Sequence, residues 1–242
     1  MKKLFTLLSA LFMVFAIQAQ TVTVSVGAGY ANDVYYSLDS GEVATVARNN
    51  WDIGFNTDAF SVSILANHTS GVEVYTYSKG DTAAWSTLDT TGMDWSQMYN
   101  SIETWEEGAF AQNDLGHPDY GWGIYNMGNH HIYGDSLFVV KTVSGMFKKL
   151  WIIQKNAVGN EWMFKYANLD GTSLQTVTLD AGLYDTKNFV YYSIDSNMVK
   201  DREPASEAWD MVFTKYYDYT IPYPVTGVLV NEAHTMVEQV DQ

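Results

Sequence analysis

An all-β fold is what this chain predicts, and three features carry the prediction. Short runs of alternating apolar and polar residues recur along its length, turn signals rich in glycine and asparagine separate them, and one strand-like motif occurs twice. VYYSLDS at 34–40 leads to WDIGF at 51–55, and VYYSIDS at 190–196 leads to WDMVF at 209–213. A Gly-Val pair follows each, Gly71-Val72 and Gly227-Val228. The offsets are 156 at the first element (190 − 34), 158 at the tryptophan (209 − 51) and 156 at the glycine (227 − 71). Shared composition explains two tyrosine pairs, but not Trp-Asp pairs returning at nearly the same spacing. The chain reads as containing an internal repeat.

The elements follow in order. Residues 1–19 predict an export signal: Lys2 and Lys3 start it, an apolar run fills 4–16, and cleavage points fall at Ala19-Gln20 and after Ala16. That run is too short for a membrane span, and no later stretch approaches one, so the mature chain is expected to be soluble and secreted. TVTVSV at 21–26, FSVSIL at 60–65, VEVYTY at 72–77, LFVVKTV at 137–143, KKLWIIQ at 148–154, WMFKYANL at 162–169 and LQTVTL at 174–179 read as strands. Ser144-Gly145, 158–160 and 169–171 are turns between them. Only 85–105 mixes tryptophans and acidic residues without a clear register. In an extended backbone Trp51, Ile53 and Phe55 share one face, as do Trp209, Met211 and Phe213; that face is expected in the core. Asp52 and Asp210 point the other way, to accept from turn or strand amides. The predicted architecture is an antiparallel sandwich or barrel-like domain over 20–180. The second motif copy lies in 181–242, either packed on that domain or beginning a second unit.

Composition narrows the function. Without its signal the chain carries 11 basic and 28 acidic groups, a net of −17, a field that repels nucleic acid and anionic lipid. There is no cysteine, which excludes disulfides, zinc-thiolate centres, thiol catalysis and a lipid-modified N-terminal cysteine. A glycosidase reading would draw on Glu103, Glu106, Glu107, Asp114 and Asp119, but nothing sets an acid beside a base. No nucleophile elbow, HExxH or phosphate-binding glycine loop appears either, so no enzyme is expected.

The ordered set YYSLDSGEVATV at 35–46, NNWDIGF at 49–55, DSLFVVKTVSGMFKKLWIIQ at 135–154 and WMFKYANLDG at 162–171 resembles the HmuY-like haem-binding proteins of Bacteroidetes. The likeness covers roughly 21–179; the second motif copy lies beyond it. It implies an exported β-rich protein that captures haem through two axial side chains, histidine in some relatives and methionine in others, and delivers it to an outer-membrane receptor.

In the family the second ligand follows a Gly-Trp step and precedes a glycine; Gly121-Trp122 and Met127-Gly128 match that pattern, so the resemblance implies Met127 as an iron ligand. Met93, Met98 and His117 are the candidates for the first ligand, and His130 and His131 are alternatives to Met127. The bland reading makes the methionines core fillers and the histidines loop residues. A carbohydrate-binding module with Trp95, Trp105, Tyr120 and Trp122 as stacking platforms is the alternative function, and a structural or adhesive module a third.

Overall fold

The computed structural model describes residues 21–217 and 223–231; residues 1–19, where the export signal is expected, and 232–242 at the end of the segment with the second motif copy lie outside the described residues. Among the described residues there are sixteen strands. β1 (Asn32–Ser37) and β2 (Gly41–Ala47) form a hairpin, as do β3 (Ile53–Asn56) and β4 (Ile64–Ala66). Then come β5 (Glu73–Thr76), β6 (Gln97–Met98), β7 (Gly123–Tyr125), β8 (Ile132–Gly134) and β9 (Phe138–Lys141). β10 (Phe147–Asn156), β11 (Glu161–Asn168) and β12 (Gln175–Asp180) are an antiparallel meander. The last described elements are β13 (Phe189–Ser193), β14 (Met198–Lys200), β15 (Met211–Tyr217) and β16 (Pro224–Val230). Among the described residues there are short 3-10 turns but no α-helix, so the fold is all-β.

The strands form three antiparallel sheets. One has the order β16-β15-β1-β2, a second β14-β13-β3-β4, and the third contains β12-β11-β10-β9-β5-β6 with the β7–β8 hairpin joined to β10. In the two four-stranded sheets the motif copies exchange partners. β1, which carries the first Tyr-Tyr pair, lies against β15 after the second Trp-Asp, with Tyr35 opposite Val212. β13, which carries the second Tyr-Tyr pair, lies against β3 after the first Trp-Asp, with Tyr191 opposite Gly54. The described strands of the C-terminal segment are thus built into sheets begun by the N-terminal ones.

The main core lies between the second sheet and the eight-stranded sheet. Ile53, Phe55, Ile64 and Val190 meet Val74, Val140, Leu150, Ile152, Trp162 and Phe164, all fully or almost fully buried. Each such side chain contributes ~1.5–3 kcal/mol by leaving water. Polar atoms in this core are paired: Trp122 Nε1 donates to the Val62 carbonyl and Trp162 Nε1 to that of Asn56, at 3.1 and 3.0 Å.

Several expectations change. Residues 21–26 alternate but join no strand, and of 60–65 only the end enters β4. Trp51 does not share a core with Ile53 and Phe55; it packs with Phe189 and Tyr191 instead, because the backbone turns at Asp52 before β3 begins. In the second copy the buried face of β15 belongs to Val212 and Thr214, while Met211 and Phe213 are half-buried. The two Gly-Val glycines also differ. Gly71 takes a left-handed conformation (φ 90°) after a 3-10 turn, whereas Gly227 sits within β16, where a Cβ would come within 2.4 Å of the Tyr216 ring.

Candidate functional site

Each Trp-Asp pair is held by the same set of bonds. The Asp52 amide donates to the Tyr192 carbonyl, and the Asp210 amide to that of Tyr36, both at 2.9 Å. The side-chain amide of Asn67 donates to the carbonyls of Arg48 (2.8 Å) and Trp51 (2.9 Å); that of Asn231 donates to Ser206 (2.8 Å) and Trp209 (2.9 Å). Asp52 accepts from the amides of Ile194 (2.7 Å) and Val143 (2.8 Å), and Asp210 from that of Leu38 (2.6 Å). Burial raises the Asp52 carboxyl above the usual range, and these bonds pull against that. The aspartates are structural acceptors.

So anchored, the two tryptophans face one cleft. Trp51 meets the Tyr191 ring edge-on at 4.7 Å, and Trp209 meets Tyr35 edge-on at 4.9 Å. Trp105, from the loop between β6 and β7, stacks on Trp209 at 5.8 Å and crosses Phe189 at 6.2 Å. The cleft encloses ≈ 150 Å³ between the two four-stranded sheets, with Leu65 and Leu229 completing its apolar wall.

Its polar lining is a buried ionic network. The chain has two arginines, and both bind Asp33: Arg48 Nε donates to Oδ1 at 3.1 Å and Arg202 Nη2 to Oδ2 at 2.6 Å. Arg202 also donates to the Asn50 side chain, the Tyr35 hydroxyl and the Ala47 carbonyl. Glu203 accepts from the Tyr191 hydroxyl and the Asn188 amide, each at 2.8 Å. Burial pushes the Glu203 carboxyl up to about 7 and the two tyrosine hydroxyls above their ordinary value. His68, at the edge of the cleft, is buried with Nδ1 on the Val72 carbonyl and Nε2 accepting from Asn100; desolvation brings it down to about 4, so it is neutral.

Four of the six residues expected to bind haem gather elsewhere, around the β7–β8 hairpin. Met127, His130 and His131 sit in its turn, and Met127 is 78% exposed. His130 (φ 62°) pairs through Nδ1 with the Tyr125 hydroxyl, and the His117 ring lies 5.2 Å from that of Tyr125. His131 Nδ1 is buried without a partner among the described residues. Met93 and Met98 lie apart, buried in two different apolar clusters, and the Met98 sulfur accepts from Thr76 and Asn113. Neither the cleft nor a wider hollow of ≈ 770 Å³ beside Trp105 is lined by any of the six.

Of the aromatic platforms, Trp122 is wholly buried and cannot serve as one. Trp95 is 44% exposed between Tyr75 and Phe147, Tyr120 is half-buried with its hydroxyl against His117, and Trp105 lines both hollows. Among the acidic residues, Glu106 accepts from Ser61 and Asn56, while Asp114 and Asp119 cap their own turns. The cleft network of Asp33, Arg48, Arg202 and Glu203 was not among the expected site residues. The signal available was the chain's arginine usage, one upstream of each Trp-Asp pair.

No protein-family model, curated protein or solved structure matches this chain.

Proposed function

We propose that this chain is an exported, non-catalytic binding protein whose two motif copies are a duplicated unit, and that its ligand site is the cleft their exchange creates. One observation carries the reading: three indoles, Trp51, Trp105 and Trp209, wall a single cleft with charged side chains buried beside them. Aromatic walls with a few convergent polar groups are the usual makings of a small-molecule site. At ≈ 150 Å³ the cleft matches a ligand of about one ring, since a cavity of ~150 Å³ accommodates benzene. A sugar ring or a comparable cyclic ligand suits it; a porphyrin does not. Titration of tryptophan fluorescence with a panel of monosaccharides and single-ring aromatics tests this. Saturable quenching by a panel member, weakened at least ~10-fold by Trp105→Ala, is expected, because removing one stacking platform costs ~1–3 kcal/mol. A flat response across the panel overturns the reading.

Haem capture, which the HmuY-like resemblance implies, is a second reading, and it belongs to the hairpin. The observation favouring it is the gathering of Met127, His117, His130 and His131 around one turn, with the thioether in solvent. Thioether sulfur favours the softer ferrous ion. Hemin added to the full chain should then give a sharpened Soret band on reduction that Met127→Ala abolishes. An unchanged hemin spectrum in both oxidation states removes this reading and leaves the cleft untouched.

A further inference from the structure

We propose that the cleft selects a ring carrying a carboxylate, a specificity that rests on the cleft being the ligand site. The polar atoms along its lining are unevenly used. Every acceptor of the ionic network is occupied. Asp33 Oδ1 receives Arg48 and the Thr214 hydroxyl (2.6 Å), Asp33 Oδ2 receives Arg202, and both oxygens of Glu203 receive donors. The donors are not. Trp51 Nε1 and Trp209 Nε1 are buried with no hydrogen-bond partner among the described residues. Arg48 uses Nε on Asp33 and Nη2 on the Asn32 carbonyl, which leaves Nη1 without a partner among the described residues. All three side chains are at least nine-tenths buried, and all three line the same cleft.

A buried donor left unpaired costs ~1–3 kcal/mol; the two indole N–H groups are sealed from solvent, and Arg48 Nη1 is the unpaired donor left for an occupant that brings acceptors. Charge points the same way. Two guanidiniums stand against the carboxylate of Asp33, and Glu203, desolvated on the same wall, resists adding a second negative charge near neutral pH. The cleft is therefore locally cationic in a chain of formal net charge −15. A carboxylate supplies acceptor lone pairs and the complementary charge, and a guanidinium edge is the donor geometry that suits it. The apolar walls then hold the ring that bears it.

Paired probes differing only in that group test the proposal. Binding of benzoate against benzamide, and of glucuronate against glucose, is measured by calorimetry on the full chain at pH 6; the two pairs separate an aromatic ring from a pyranose. The expected result is that, in one pair, the acid binds at least ~10-fold tighter than its neutral partner, the factor worth ~1.4 kcal/mol. Arg48→Gln should bring that ratio close to one, with Arg48→Lys intermediate and the thermal melt reporting whether each variant folds. Should Arg48→Gln not fold, the wild-type ratio still decides. Equal binding of acid and neutral partner, or binding of the neutral partner alone, overturns the carboxylate specificity and leaves the cleft as a ring site. Absence of binding by all four probes overturns both.

Discussion

Asn67 and Asn231 do the same work in different parts of the chain. Each is almost fully buried, follows the strand that pairs with its Trp-Asp strand, and closes the turn at the tryptophan by donating to two carbonyls. Alanine at either position removes both donors from those carbonyls where the asparagine side chain itself is almost fully buried. Asn67→Ala and Asn231→Ala are each expected to cost about 2–3 kcal/mol, read as a loss of the urea midpoint without a change in its slope. A conservative surface change such as Thr91→Ser serves as the control. These asparagines also show what was readable at this scale. Matched by role, the motif continues as ILAN at 64–67 and VLVN at 228–231, an offset of 164 (231 − 67). The Gly-Val pairs keep a tidier spacing, although Gly71 lies beyond the asparagine and Gly227 before it. Uniform spacing favoured the wrong match because β15 and β16, seven residues each, are longer than β3 and β4, which have four and three.

At the scale of elements, alternation was a good guide where a strand had a neighbour close in sequence. The meander β10-β11-β12 was legible because long apolar-polar runs and tight turns place each partner within a few residues. Residues 21–26 alternate equally well, yet no ladder among the described residues takes them up, since alternation reports two faces and says nothing about an edge to join. The partner exchange was hidden for the same reason. β1 pairs with β15 and β3 with β13 across more than a hundred residues, and the cleft exists only where those pairings bring Arg48 and Arg202 to one aspartate. It follows that the C-terminal segment is needed by the N-terminal strands. A chain ending at residue 180 loses the inner partner of both β1 and β3 and exposes Tyr35, Trp51, Phe55 and Ile53. Such a truncation should give a species that binds a hydrophobic dye and lacks a cooperative thermal transition, while co-expression with 181–242 as a separate chain should restore one. A sharp melt for the truncated chain alone would mean that the eight-stranded sheet carries the fold without the exchange.

Across the whole molecule, two buried titrating groups pull stability in opposite directions with pH. Glu203, raised to about 7, keeps its proton in the folded chain, whereas the unfolded chain releases it near the ordinary value of 4.5. Its contribution is fully present below about 4.5 and is lost as pH rises through about 7. His68, lowered to about 4, stays neutral in the fold while the unfolded chain takes up a proton near 6.5, so its contribution is present above about 6.5 and lost as pH falls through about 4. Each change is worth about 3 kcal/mol by linkage. Over the interval they share the slopes nearly cancel, and together the two groups leave the wild-type melting temperature almost level between pH 5 and 6.5. Removing either one uncovers the other. Glu203→Gln retains an acceptor for the Asn188 amide and should gain on the wild type as pH rises from 5 to 8, because the buried charge no longer forms. His68→Gln should gain on it as pH falls from 7 to 5. Melts of the three proteins at pH 5, 6.5 and 8 read this directly. Variants that tilt the same way would show that the network around Asp33 governs both groups, while no tilt in either would place the titration outside the cleft.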